Sequence, residues 1–386
     1  MATRQRCLLV LAVASHGVVV WLLFLRPVRR SDLSVYLAAA HDLLHALSPY
    51  PELGSPSVWS GSAFVYPVVA ALPFVPLSLL PVAVADLVYL GLSVSALVLA
   101  VWLSPSRYSL PAYLGVLCAA TSVRGLQVGT LNAFLLLGCA AAWHFRDRAG
   151  RTATALALVF VPKLFLVPLG LWLVVARRWR AAAVTAALTG ALLLGGFALG
   201  PIGVGEYARL LEELSAHETD QGFALTRLVL GVGLSPAVAR VCVLLAGAAV
   251  LAVALTVWRR TGAEVVVYAG GIVGALLVSP IVWSHYLVLA LAPLLGMAAN
   301  WRYFAGFAAV TWVLAPPVGA GPLAVLSNGI PSLAKVGGSQ VLLLGVFAVV
   351  CAGALRAAQP SSTGAPAATA ARNSGNSETT KYDSSG

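Results

Sequence analysis

Long apolar runs, separated by short polar or arginine-bearing junctions, occupy the chain from Cys7 to Arg356. A run of about 18 residues or more can cross a hydrocarbon core of roughly 30 Å as a helix. These runs are continuous rather than alternating, which selects helices over a barrel, whose strands alternate between lipid and lumen faces. The pattern predicts an all-α polytopic membrane domain over residues 1–356, with about eleven to thirteen transmembrane or re-entrant helices. The first run, about Leu8 to Leu25, is followed by "RPVRR" without a small-x-small cleavage site and reads as a retained helix.

Two polar stretches interrupt the runs, at about 26–65 and 201–236. In the first, Leu33, Tyr36, Leu37, Ala40, Leu43, Leu44 and Leu47 recur at spacings of three and four, the mark of an amphipathic helix. It is expected to lie along the membrane surface, with Ser31 or Asp32 as its cap and "SPY" at its end. Four apolar segments follow, near 66–80, 83–103, 108–122 and 131–145. With the loop outside and Arg146 inside, one of them cannot cross fully, and the Pro-rich "YPVVAALPFVPLSLLP" is the candidate for a broken or re-entrant piece. Residues 357–386, rich in Ser, Thr, Ala and Gly, read as a disordered cytoplasmic tail.

Charge sharpens the topology. Arginines cluster at 146–151, 176–180, 258–260, 300–302 and 356, and an even number of apolar segments lies between neighbouring clusters. All five junctions can therefore face the cytoplasm, as the positive-inside rule prefers. Lys163, the loop 201–236, His285 and Lys335 then fall toward the opposite face. Arg26, Arg29 and Arg30 run against that rule beside the first helix, and Arg29 and Arg30 are candidates for steering an anionic lipid.

Composition closes off other classes. With 60% hydrophobic and 10% charged residues and a mean hydropathy of +0.91, a soluble domain is excluded. The net charge of +11 sits at the ends of apolar runs, so no nucleic-acid partner is expected. Five cysteines without CxxC or CxxH spacing suggest neither disulfides nor zinc, and the absence of Asp-x-Asp predicts no protein-held metal. "GVGL" at 231–234 lacks the strand and helix of a dinucleotide loop.

Chemistry must come from few residues. The carboxylates of the two loops are Asp32, Asp42 and Glu52, then Glu206, Glu212, Glu213, Glu218 and Asp220, and a general base for an extracytoplasmic site is expected among them. Lys163 is the only lysine inside an apolar hairpin, where a cation is either functional or snorkelling to the interface. His285 follows Trp283 at a helix start, and Arg124 opens another segment. Trp59, Tyr36, Tyr66 and Trp283 are rings with polar tips, suited to stacking on a sugar or to an interfacial belt.

"SDLSVYLAAAHDLLHALSPY" followed by "FVYPVVAALPFVPLSLLP" resembles the start of glycosyltransferase family 87. The matching positions are Asp32, Tyr36, Pro49-Tyr50 and Phe64-x-Tyr66-Pro67. "VRGLQVGTLNAFLLL", with Arg124 and Asn132, "VPKLFLVPLGLWLVVARRWR", with Lys163, and "SPIVWSHYLVLALAPLL", with Trp283 and His285, resemble later family segments in order. The chain departs from the family pattern at Thr130, where a glutamine is usual, and at Val68, where a second proline is usual. It also lacks a glycine before Pro49 and places Pro168 five residues after Lys163.

The resemblance implies a C-type glycosyltransferase fold and transfer of mannose from a polyprenyl-phosphate-mannose donor to a glycan or glycolipid hydroxyl. The reaction would run with inversion, forming α-1,2 linkages at the outer face of the cell membrane. The lipid-linked donor is a substrate, so no cofactor is implied. One inversion needs one base and no acid, because phosphate leaves unprotonated. Asp32 is then the base, Lys163, His285 and Arg124 hold the donor phosphate, and Tyr36, Tyr50, Tyr66, Asn132 and Trp283 contact substrate. The competing readings are transfer of another polyprenyl-phosphate sugar and a lipid or glycolipid flippase, although no internal repeat of the kind transporters show is present.

Overall fold

Proline marks where many of these helices begin, because in the first helical turn its ring gives up only an N–H that has no intrahelical partner. The computed structural model describes residues 30–359, apart from positions 62, 108, 220 and 298, and contains no strand among the described residues. In chain order its longer helices are α1 (Ser31–Leu44), α2 (Val82–Trp102), α3 (Leu110–Cys118), α4 (Ala120–Val128), α5 (Asn132–His144) and α6 (Ala149–Phe160). They continue with α7 (Trp179–Leu199), α8 (Val204–Glu218), α9 (Pro236–Thr261), α10 (Glu264–Val278), α11 (Trp301–Leu314) and α12 (Ser332–Ala358). Pro81 and Pro331 precede α2 and α12, while Pro236 opens α9 beside a Ser235 hydroxyl that accepts from the Val238 N–H at 3.4 Å. The predicted all-α polytopic architecture is what the chain adopts.

Four helices, α2, α7, α9 and α12, are long and apolar enough to cross a membrane by length and composition. Most other apolar segments are shorter, because the chain breaks them. Residues 68–78 form two 3-10 turns and the four-residue helix Val75–Ser78, interrupted by Pro73 and Pro76. "VPK" separates α6 from a 3-10 run, Leu164–Gly170, that leads into Leu171–Val175. "SPIVW" separates α10 from the 3-10 run Ser284–Ala290.

Some expectations need correction. Neither Ser31 nor Asp32 caps α1: Arg30 is the N-cap and no side chain closes the end. The helix also stops at Leu44, short of "SPY", where Ala46 takes a left-handed φ of 55°. Lys335 lies within α12 rather than in a turn. The first apolar run, Cys7, Arg26, Arg29 and residues 360–386 of the tail lie outside the described residues, while Ala357 and Ala358 close α12 instead of opening a disordered tail.

The main core surrounds α10, which is apolar on every face and has every residue from Val266 to Leu277 buried. A Cβ on Gly271 would stand 2.8 Å from the Leu169 Cα, so glycine lets the 164–170 backbone lie directly on this helix. At one end of the core two arginine junctions meet the start of α10. Arg178 donates to both oxygens of Glu264 at 3.1 Å, to Asp147 at 2.9 Å and to the Arg146 carbonyl at 2.5 Å. From there α6 climbs about 18 Å toward Lys163 and the other end. At that end the first loop packs through Val58 onto Tyr207, Leu210 and Leu214 of α8, while α1 packs through Tyr36 on Phe64 and Phe74.

Candidate functional site

A cavity of about 600 Å³ opens at this end, walled by both polar loops and by the tips of the broken segments at 162–165 and 279–286. Asp32 enters it from the first turn of α1. That turn is seated by two contacts. Arg30, buried, pairs with Asp86 of α2, and Gly129, at φ 78°, ends α4 against it. A Cβ on Gly129 would approach the Leu33 Cβ to 2.8 Å and the Arg30 Cβ to 3.0 Å, so α1 can rest here only over a glycine.

Asp32 accepts from the Ser31 hydroxyl at 3.4 Å. Burial pushes its carboxyl up to about 6, against the pull of Lys163, the Ser31 hydrogen bond and Arg124. The result is a carboxylate that is ionised at neutral pH and more basic than an exposed one.

Lys163 is 8% exposed and is not snorkelling. Its Nζ donates to the hydroxyl of Tyr286 and, at 3.3 Å, to that of Tyr66, and lies 4.3 and 4.5 Å from the centres of those rings. Two aromatic faces and two hydroxyls thus hold the cation in the cavity wall. Arg124 projects from α4, with its guanidinium 3.5 Å from the Gln127 amide oxygen. Gln127 is in turn fixed by Val318, donating to its carbonyl at 2.8 Å and accepting from its N–H at 2.9 Å. His285, buried, meets Tyr286 edge-on at 5.0 Å.

The sequence candidates divide. Asp32, Tyr36, Tyr66, Arg124, Lys163, Trp283 and His285 all line the cavity. Tyr36 is buried and stacked 4.6 Å from Phe74, so it presents little more than an edge. Tyr50 does not line the cavity: its hydroxyl donates to the Tyr66 carbonyl at 2.9 Å and so props the wall. Asn132 lies apart, beside a small hollow shared with Thr121, Ser122 and Thr130, and its amide atoms find no partner among the described residues. Trp59 stacks on His217 at 4.0 Å with the rings nearly parallel, clasping the two loops together instead of facing the cavity.

Two further lining residues matter to the site: Tyr286, to which the sequence reading gave no role, and Glu218, which it named only among the loop carboxylates. Tyr286 supplies half the seat of Lys163. Glu218 enters from the last turn of α8, and its signal was present in the pattern. Tyr207, Leu210 and Leu214 are the buried stripe of that helix, and Glu218 is the next position at the same three-four spacing. Burial raises its carboxyl above the usual range, Lys163 opposes the rise, and Asp32 adds to it.

One basic carboxylate, two fixed cations, a histidine and aromatic rings therefore converge on one space. Such a site can take a proton from a hydroxyl while stabilising negative charge on a leaving group. The chain matches the model of glycosyltransferase family 87 over residues 64–280, more than half its length. That span contains Tyr66, Arg124, Lys163 and Glu218, while Asp32, Trp283 and His285 lie outside it. No curated protein and no solved structure matches the chain. With its apolar spanning helices and this cavity, the chain belongs to glycosyltransferase family 87 and is a membrane glycosyltransferase.

Proposed function

We propose that this protein transfers mannose from a polyprenyl-phosphate-mannose donor to a hydroxyl of a glycan or glycolipid at the extracytoplasmic face of the cell membrane. The transfer proceeds with inversion and builds α-1,2 linkages. The observation that carries the reading is the sharing of one cavity by Asp32, Lys163 and Arg124. The acceptor hydroxyl gives its proton to Asp32 as its oxygen attacks the anomeric carbon. The bond from that carbon to the phosphate oxygen breaks, and the electron pair leaves with the lipid phosphate. Lys163 and Arg124 stabilise the growing charge on that phosphate, with His285 as a further contact. No proton needs to be supplied to the leaving group and no cofactor takes part.

The outward orientation is supported by the meeting of the 146–151 and 176–180 junctions with Glu264 at the end remote from the cavity, since arginine-rich junctions prefer the cytoplasm. The test is a membrane assay with labelled polyprenyl-phosphate-mannose, compared with the corresponding glucose and arabinofuranose lipids. Asp32→Asn is expected to lower kcat by roughly 10²–10⁴-fold, the range for loss of a general base. Full activity in that variant would remove Asp32 as the base. Transfer from a different lipid-linked sugar would revise the donor, and lipid translocation without transfer would replace the enzyme with a flippase.

A further inference from the structure

The mechanism uses Asp32 and leaves the second carboxylate of the cavity without a task. Glu218 faces the same space, and among the described residues its side chain accepts no hydrogen bond. It interacts electrostatically with Lys163 and Asp32, whereas Arg124 acts on Asp32 but is not among the charges that act on Glu218. Glu218 is itself an anion, so what it favours beside it is a hydrogen-bond donor rather than a phosphate. Water alone is a poor explanation for an acid that holds a place on an otherwise apolar helix stripe. Two more uncharged hydrogen-bonding side chains, Ser215 and Gln221, line the same wall at spacings of three on either side of Glu218.

We infer that Glu218, flanked by Ser215 and Gln221, is a substrate-positioning residue whose carboxylate accepts hydrogen bonds from ring hydroxyls of a sugar. A carboxylate has two oxygens and suits a pair of adjacent hydroxyls, and a charged acceptor strengthens each bond. Trp59 stacked on His217, together with the Gly54 N–H donating to Glu213 at 3.0 Å, fixes this end of α8 over the cavity, so the acceptor edge is held in place. The sugar is either the one being transferred or the one receiving it. This inference rests on the glycosyl-transfer reading.

The experiment uses the full chain in lipid nanodiscs, with Glu218→Gln and Glu218→Ala beside the wild type. In the transfer assay, Glu218→Ala is expected to raise one KM by about tenfold or more, with a smaller effect for Glu218→Gln. A rise confined to the donor KM assigns the carboxylate to the transferred sugar, and a rise confined to the acceptor KM assigns it to the acceptor. In either case the acidic limb of the pH profile, which belongs to Asp32, is retained, at the same or a slightly lower pH because a neighbouring negative charge is gone. Unchanged KM values in Glu218→Ala, or loss of that limb with KM unchanged, would overturn the positioning role. The second readout is saturation-transfer NMR with methyl α-mannoside and methyl α-glucoside, which needs no turnover. Wild-type signal that disappears in Glu218→Ala supports the inference even if no lipid-linked donor is used. Equal signals in both proteins, or none in the wild type, would overturn it.

Discussion

Asp32 stands where its environment pulls in two directions. Burial disfavours its charge, while Lys163, the Ser31 hydroxyl and Arg124 favour it, and its carboxyl comes to rest at about 6. A base must be ionised to accept a proton, so kcat/KM is expected to fall as the pH drops through about 6. A pH profile from 5 to 8 on the wild type checks this; an acidic limb near 4 would sink it. The same shift bears on stability. Folding raises this carboxyl from 3.8 to about 6, so the folded protein is penalised above pH 6, less so between the two values, and not at all below both. Asp32→Asn, though slower in transfer, should therefore be more stable at pH 7.5 by roughly 1–2 kcal/mol, once solvent at the cavity mouth is allowed for. The gain should vanish near pH 4 in thermal melts. Lys163→Met removes a buried cation whose partners are two tyrosine hydroxyls. It is expected to lower kcat by about 10²-fold with the melting temperature held or raised, as for a group that stabilises developing charge.

At the scale of the element, α1 is placed by its seat and not by its own cap. Without a capping side chain, its first turn depends on the Arg30–Asp86 pair and on the space left by Gly129. Gly129→Ala imposes a left-handed alanine, costing about 1–3 kcal/mol, and also pushes on Leu33 and Arg30. The expected outcome is a folded but less stable protein whose kcat falls by about 10–100-fold, since a shift near 1 Å in a reacting group has that scale of effect. Melting and transfer assays on the same preparation separate the two consequences. Amphipathic spacing revealed α1, whereas α8 lay inside what reads as a polar loop, and its buried stripe, with Glu218 as the next position, emerged only in the structure. The spacing did not reveal the seat, because Arg30 and Asp86 are 56 residues apart in sequence and nothing local couples them.

Across the whole molecule, the 146–151 and 176–180 arginine junctions and the cavity occupy opposite ends of a helical core. Single cysteines introduced into a cysteine-free background by Ser57→Cys and Glu212→Cys, both at exposed positions, are expected to react with an impermeant reagent added to intact cells. Arg148→Cys and Arg260→Cys, exposed at the other end, are expected to react only after permeabilisation. The reverse pattern would turn the protein over and move the reaction to the cytoplasmic face. Breaks at the Pro-rich piece, at "VPK" and at "SPIVW" were legible because proline and short polar interruptions act locally on the backbone. The convergence of the last two on one cavity was not legible, since it depends on how α10 packs against the 164–170 and 284–290 runs.

By itself the sequence determined the class of the molecule, the positions of its breaks and the residues available for chemistry. Apolar run length, proline and scarcity of charge act through the solvent and the local backbone, and each can be read along a single chain. Only the tertiary structure decided that Tyr50 and Asn132 stand off the cavity while Glu218 enters it, and that Lys163 is cradled by Tyr66 and Tyr286. Those outcomes rest on contacts between residues distant in sequence, whose energies exist only once the helices have packed. The "RRSD" stretch shows both sides: its charges could be read directly, but the direction of Asp32 was set by a glycine about a hundred residues away.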